Sequence, residues 1–305
     1  MPNSLLYFAA TLIWGSTWLA ITFQYGAVPA SASVAYRFLL AGMLMLGWCA
    51  LRGERLRLSL AELRWSAFQG VLMFGLSYML VYEAEHHIAS GLMAVLNSSM
   101  VLLNVLGMRL AFGRALDTKS LLGAGLGILG IALVFWPELS EVRGASSWLG
   151  VACGLGAALL ASIGNLVAQR NRNLAVPLLP GIGYGMLVGG TTALLLTVLS
   201  GQPLVFDWRP QYLASLLYLA VFGSVVAFAC YLTLMGRIGA ARSGYIAVAV
   251  PIVALLLSGW FEGFVWRSWT FAGIACAVVG NMIMLLDVAG WLRKIGLARL
   301  AARLA

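Results

Sequence analysis

Residues 78–112 read YMLVYEAEHHIASGLMAVLNSSMVLLNVLGMRLAF. One apolar run enters EAEHH and a second, longer one leaves it. The connector puts two carboxylates and the chain's only two histidines within five residues. A bilayer core of roughly 30 Å needs about 20 apolar residues in a helix. Two such runs around so short a polar segment predict a helical hairpin that crosses a membrane and turns at its surface. Polar groups inside such runs are costly in lipid, so each is a functional candidate by default. The second run carries two, Asn97 and Asn104.

The same pattern fills the chain. Of 305 residues, 62% are hydrophobic and 10% charged, where a soluble domain carries about 25% charged residues. With a mean hydropathy of +0.95, the expectation is an all-α integral membrane protein. Ten segments qualify as transmembrane helices: 4–23, 32–51, 65–83, 89–112, 120–136, 147–169, 178–200, 211–235, 243–264 and 269–288. The opening MPNSLLYFAATLIWGSTWLAI has no basic n-region or cleavage site and is read as a retained first helix. Uniformly apolar runs exclude the alternating pattern of a membrane β-barrel. Cys49, Cys153, Cys230 and Cys276 lie singly in apolar runs, so buried, inert thiols are expected, with no metal site and no disulfide framework.

The net charge of +9 gains meaning from its distribution. Arg52, Arg55, Arg57 and Arg64 follow the second segment; Arg109, Arg114 and Lys119 the fourth; Arg170 and Arg172 the sixth; Arg237 and Arg242 the eighth. Arg293, Lys294, Arg299 and Arg303 lie in the tail. The opposite connections hold only Arg143, Arg209 and Arg267. Fifteen basic residues against three place both termini in the cytoplasm of an inner or plasma membrane protein. They also explain the basic balance without nucleic acid. EAEHH then belongs at the outer mouth, and the tail, 289–305, reads as a basic interfacial helix on anionic lipid.

The chain repeats itself. Val28-Pro29 and Val176-Pro177 precede the second and seventh segments, an offset of 148 residues that sets Tyr36 on Tyr184 and Gly42 on Gly190. IASGLMA (Ile88 to Ala94) matches IGAARSG (Ile238 to Gly244) at an offset of 150, and Gly123 and Gly130 fall on Gly273 and Gly280. Residues 1–140 and 141–288 thus read as two five-helix repeats. Five is odd, so the second enters the membrane from the opposite side. An inverted repeat of five plus five puts a site at the midplane and permits alternating access by rocking.

Several motifs carry a family resemblance. They are WGSTW (Trp14 to Trp18), the VP…YRFLLAG run (Val28 to Gly42), IASGLMAVL followed by RLAFGR (Arg109 to Arg114), and PIVALLLSGWFEG (Pro251 to Gly263). GAGLGILG and GIACAVVG close the two halves. Together, and in this order, they resemble the drug/metabolite transporter superfamily, in its ten-helix form with two EamA repeats. The resemblance implies metabolite transport, commonly export, through a cavity lined by the first, third, fourth, sixth, eighth and ninth helices. Two positions depart from it: Met100 stands near a usual proline (kept as Pro251), and Arg114 replaces a usual glutamate.

Candidate substrate contacts come from polar and aromatic residues at helical spacing. Tyr78, Tyr82 and Glu85 fall at i, i+4 and i+7 on one face, where Glu85 would bind a cationic group or exchange a proton. Asn97 shares a face with Asn104; the first is assigned to the cavity and the second to packing. Trp14 and Trp18 form an aromatic pair at mid-span, where there is no headgroup to meet. Ser162, Asn165 and Gln169 make a polar stripe on the sixth helix. Arg37 is the single basic residue inside a span, so it must snorkel, pair or bind an anion. Tyr184, Tyr231 and Tyr245 each offer a hydroxyl, and Glu262, at the outer end of the ninth helix, has Arg267 as its expected partner. His86 and His87 are adjacent and cannot face one metal from one helical side. No Walker loop and no catalytic set stand in the chain, so no enzyme activity and no cofactor are expected. The expectation is a secondary transporter for a small amphipathic metabolite, an amino acid or related compound, working as an exporter. A proton is the candidate coupling ion. A proton-coupled exporter of cations or drugs is the alternative.

Overall fold

The structure is a computed structural model that describes residues 1–113, 118–141, 145–238, 243 and 245–285, with the side chain of Tyr245 and a few others left out. The tail helix expected over 289–305, and Arg114, Arg143 and Arg242, lie outside the described residues. Among the described residues there is no strand.

Helix starts follow local chemistry. α1 (Asn3–Thr22), α2 (Ala30–Leu51) and α7 (Leu178–Leu199) each begin directly after a proline, Pro2, Pro29 and Pro177. Proline suits that place because the first helical N–H groups have no partner anyway. α3 (Leu60–Glu85) opens with a capping box, in which the Ser59 hydroxyl accepts from the Glu62 N–H and the Glu62 carboxylate accepts from the Ser59 N–H. α4 (Ser90–Phe112) breaks at Ser98 and Ser99 and ends on left-handed Gly113, φ 67°. The break needs no proline: the Ser98 hydroxyl bonds back to the Val95 carbonyl at 2.6 Å. α5 (Thr118–Glu141) and α6 (Ala145–Asn173) follow. α8 runs through Pro210–Leu217, Tyr218–Val226 and Ala227–Ile238 in line, α9 is Tyr245–Phe261 around Pro251, and α10 is Ser268–Leu285.

Seven of these helices, α1 to α4 and α6 to α8, are long and apolar enough to cross a membrane. α5, α9 and α10 hold shorter apolar stretches, Gly125–Val134, Ile246–Phe261 and Ser268–Gly280.

Glycines set the packing. Lipid supplies no hydrophobic drive between helices, so close backbone approach and van der Waals contact do the work. A Cβ on Gly42 of α2 would lie 2.9 Å from the Gly183 carbonyl of α7, and one on Gly190 would lie 2.8 Å from the Leu39 nitrogen. α2 and α7 therefore run antiparallel. α5 and α10 do the same: a Cβ on Gly130 would lie 2.6 Å from the Gly273 carbonyl, and one on Gly280 would lie 2.6 Å from that of Gly123. Each contact returns when 148 to 150 residues are added to one partner and removed from the other. α1 packs on α8 and α9, α3 on α6 and α7, and α4 on α6 and α9.

Two helices are wound wide in their middle. Val71–Leu76 of α3 and Tyr218–Val226 of α8 are π-helical. Such segments concentrate at functional sites. These two stand at positions related by nearly the same offset as the glycines.

Candidate substrate-binding site

The π segment of α3 delivers Tyr78, Tyr82 and Glu85 on the turns that follow it. All three face the bundle: Tyr82 is fully buried and Glu85 is 7% exposed. Glu85 therefore leaves the surface-facing connector to which EAEHH otherwise belongs. Arg37 of α2 meets it there. This arginine does not snorkel; it is 1% exposed. Its guanidinium lies 4.7 Å from the ring centroid of Tyr78 and 5.0 Å from that of Phe38. Tyr82 and Glu85 are both within its electrostatic reach.

Residues of the α1–α2 connection close this cluster. The Tyr82 hydroxyl donates to Gln24 Oε1 at 2.7 Å. The Tyr25 hydroxyl is shared between the Tyr82 carbonyl at 3.2 Å and Glu85 Oε2 at 3.5 Å. Burial, and then the neighbouring Glu85 carboxylate, push the Tyr25 phenol far above its ordinary value, so it remains a donor. The His86 ring lies against that of Tyr25, centroids 4.0 Å apart. The Arg209 guanidinium reaches the Tyr25 carbonyl at 3.4 Å and pairs with Asp207 at 2.6 Å. Hydrogen bonds from Arg209 hold the Asp207 carboxyl below the ordinary aspartate range. Gly26, at φ 141°, makes room, since a Cβ there would lie 2.7 Å from Arg209 Nη2.

α8 forms the neighbouring wall. The Trp14 indole N–H donates to the Gly223 carbonyl at 3.2 Å, inside the π segment. Its ring packs on Phe228 at 5.4 Å and Tyr231 at 5.3 Å. A Cβ on Gly223 would lie 2.8 Å from Thr17 and 3.7 Å from Arg37 Nη2, so this glycine joins the aromatic group to the arginine.

Several buried polar atoms of this region have no hydrogen-bond partner. They are Arg37 Nε and Nη1, Trp18 Nε1, Gln24 Nε2 and Glu85 Oε1. Each such group costs about 1–3 kcal/mol, and more when charged. Four of the five are donors.

The remaining predicted residues lie elsewhere. Asn97 is partly buried at the end of the first part of α4. Ser162 is buried on α6. Asn165 donates to Asn104 Oδ1 at 3.5 Å and to Met100 Sδ at 3.3 Å, which makes this a helix–helix contact. Gln169 bonds along its own helix to Asn173 at 2.9 Å. The Tyr184 hydroxyl donates to the Leu56 carbonyl in the α2–α3 connection, at the end of the bundle away from Glu85. The Tyr245 side chain lies outside the described residues. Sequence reasoning missed Gln24, Tyr25, Gly223 and Ser90. In the sequence, Gln24 and Tyr25 are simply two polar residues that end an apolar run.

The chain matches the EamA-like transporter family over residues 1–136 and again over 148–286. It belongs to that family. It is 28% identical over 260 residues to the "Uncharacterized inner membrane transporter YedA" of Escherichia coli (strain K12), covering 82% of this chain and 79% of that protein. It is 21% identical over 286 residues to "Protein PagO" of Salmonella typhimurium, covering 93% and 92%. The "Uncharacterized transporter YoaV" of Bacillus subtilis is 22% identical over 256 residues, covering 83% and 86%. One solved crystal structure superposes with a TM-score of 0.68 at 20% identity, over 92% of this chain and 96% of that one, a likeness of fold.

Proposed function

We propose that the protein is a secondary transporter of the inner or plasma membrane that exports a small amphipathic metabolite, an amino acid or a related compound. The observation that carries this is the buried group of Arg37, Tyr78, Tyr82 and Glu85 beside the Trp14 aromatic wall. A transporter family supplies the general activity, and a cation and an acid held among rings inside an apolar bundle suit a solute that is both polar and apolar.

Ten crossings in two inverted halves, 1–140 and 141–288, are part of the proposal. The swap-symmetric glycine contacts of α2 with α7 and of α5 with α10 support them, as does the paired placement of the π segments. With both termini cytoplasmic, the Glu85 end faces outward and is shut. Ser90 to Leu96 of α4 are all buried, whereas Met100–Phe112 has no buried residue. That contrast suits a form closed outside and looser inside, one of the two states alternating access requires. Lipid contacts the basic tail and outer faces, and no nucleic acid is involved.

Proteoliposome flux tests this. Amino acids should move down their gradients; failure of every amino acid and related metabolite to move would overturn it. A proton-coupled exporter of cations or drugs is the second reading, favoured by the buried acid Glu85. If a proton is coupled there, Glu85→Gln abolishes the pH dependence of flux. An unchanged pH profile removes coupling through this residue.

A further inference from the structure

We infer that Arg37 and Glu85 are the two charged ends of one recognition site for a zwitterion, Arg37 taking a carboxylate and Glu85 an ammonium group. The inference rests on the transporter reading above and names the chemistry its site selects.

The guanidinium has rings for neighbours. Phe38 and Tyr78 stabilise the cation through their faces. The Tyr82 hydroxyl is a further polar neighbour of the guanidinium, and Nε and Nη1 bond to nothing in the protein. Either of these donors, together with Nη2 between them, presents the two-donor fork that matches the two oxygens of a carboxylate. Glu85 is the complementary case. Its Oε1 has no partner, and its Oε2 takes only the long contact from Tyr25. A pair kept for structure would close on itself. Yet among the described residues no ion pair joins Arg37 to Glu85, although the Arg37 charge reaches Glu85.

The fold does not need either charge. At the repeat offset of 148, Arg37 corresponds to Gly185, where a Cβ would already lie 3.2 Å from the Ser66 carbonyl. Near the offset of 150, Glu85 corresponds to Leu234 and Met235. The second half packs the same helices without them. Gly223 then ties the arginine to Trp14, so an apolar side chain on the bound zwitterion has an aromatic wall next to the charged end.

The test uses full-length protein in detergent and four probes: L-leucine, L-leucinamide, N-acetyl-L-leucine and the lipophilic cation tetraphenylphosphonium. A ligand of the folded state raises the melting temperature. L-Leucine should stabilise wild type, with the amide and the N-acetyl compound each weaker by about tenfold or more. Arg37→Gln should erase the preference for acid over amide and keep that for free amine over N-acetyl; Glu85→Gln should do the reverse. General misfolding cannot produce that crossed pattern. Should Arg37→Gln fail to fold, Arg37→Lys should keep the acid preference at lower affinity, and the wild-type series decides by itself. Equal binding of acid and amide, or both preferences surviving both variants, overturns the site. Stabilisation by tetraphenylphosphonium alone, with leucine flux in proteoliposomes intact, also overturns it and leaves the transporter reading standing. Absence of any flux removes the transporter reading itself.

Discussion

The carboxylate of Glu262 accepts three hydrogen bonds from Ser90, two from its backbone N–H at 3.2 and 3.3 Å and one from its hydroxyl at 2.5 Å. Glu262 follows the last turn of α9 and Ser90 is the first residue of α4. The acid thus sits on the positive end of a helix from the other half of the chain. Glu262→Ala should lower stability by about 1–3 kcal/mol, and Ser90→Ala by about 1 kcal/mol. The double variant should cost clearly less than the two losses added, because both remove the same tie. Thermal unfolding in detergent measures this; additive losses would mean the two residues act separately.

Glycine substitutions should sort by what their new methyl meets. A Cβ on Gly70 of α3 would overlap the Gly185 backbone of α7, and one on Gly273 would lie 2.6 Å from the Gly130 carbonyl. Backbone cannot step aside, so Gly70→Ala and Gly273→Ala should each destabilise by about 1–3 kcal/mol. Gly47 of α2 and Gly125 of α5 have nothing within 4 Å. Gly47→Ala and Gly125→Ala should be neutral or stabilising by up to about 1 kcal/mol, through helix propensity. Melting curves of the four variants check the order.

Asp207 links stability to pH. Its carboxyl is held below the ordinary range by Arg209, so the native state favours the ionised form. That stabilisation is present above the unfolded value, near pH 4, and is lost as pH falls through the lower native value. Asp207→Asn should therefore melt below wild type at neutral pH, and the gap should close on strong acidification. A gap that stays constant with pH would mean the pair does not contribute through charge.

The helices were legible because about 20 apolar residues in a row have one use in a membrane; over the described residues the expected segments overlap helices, seven of which are long and apolar enough to cross. Their ends were less so. α3 begins at Leu60, ahead of the apolar run, because Ser59 and Glu62 cap it; the S-x-x-E spacing was there to be seen, while hydropathy alone started the helix at 65. Arg37 was the harder case. Two turns from the helix start, a long side chain ordinarily reaches water. Here α3 and the π segment of α8 stand over it, and only three-dimensional packing says so. Glu262 was matched with Arg267 by sequence distance, whereas its hydroxyl and N–H partner lies 172 residues away. Gln24 and Tyr25 belong to a connection whose closure over Glu85 has no periodic signature.

The wide winding of Val71–Leu76 acts as a phase setting. Each residue advances an α-helix by roughly 100°, and a π segment absorbs one extra residue without lengthening the helix proportionately. If the same residues relaxed to ordinary α winding, the extra one would no longer be absorbed and everything beyond it would turn. Tyr78, Tyr82 and Glu85 would rotate together away from Arg37, with no side chain at the site altered.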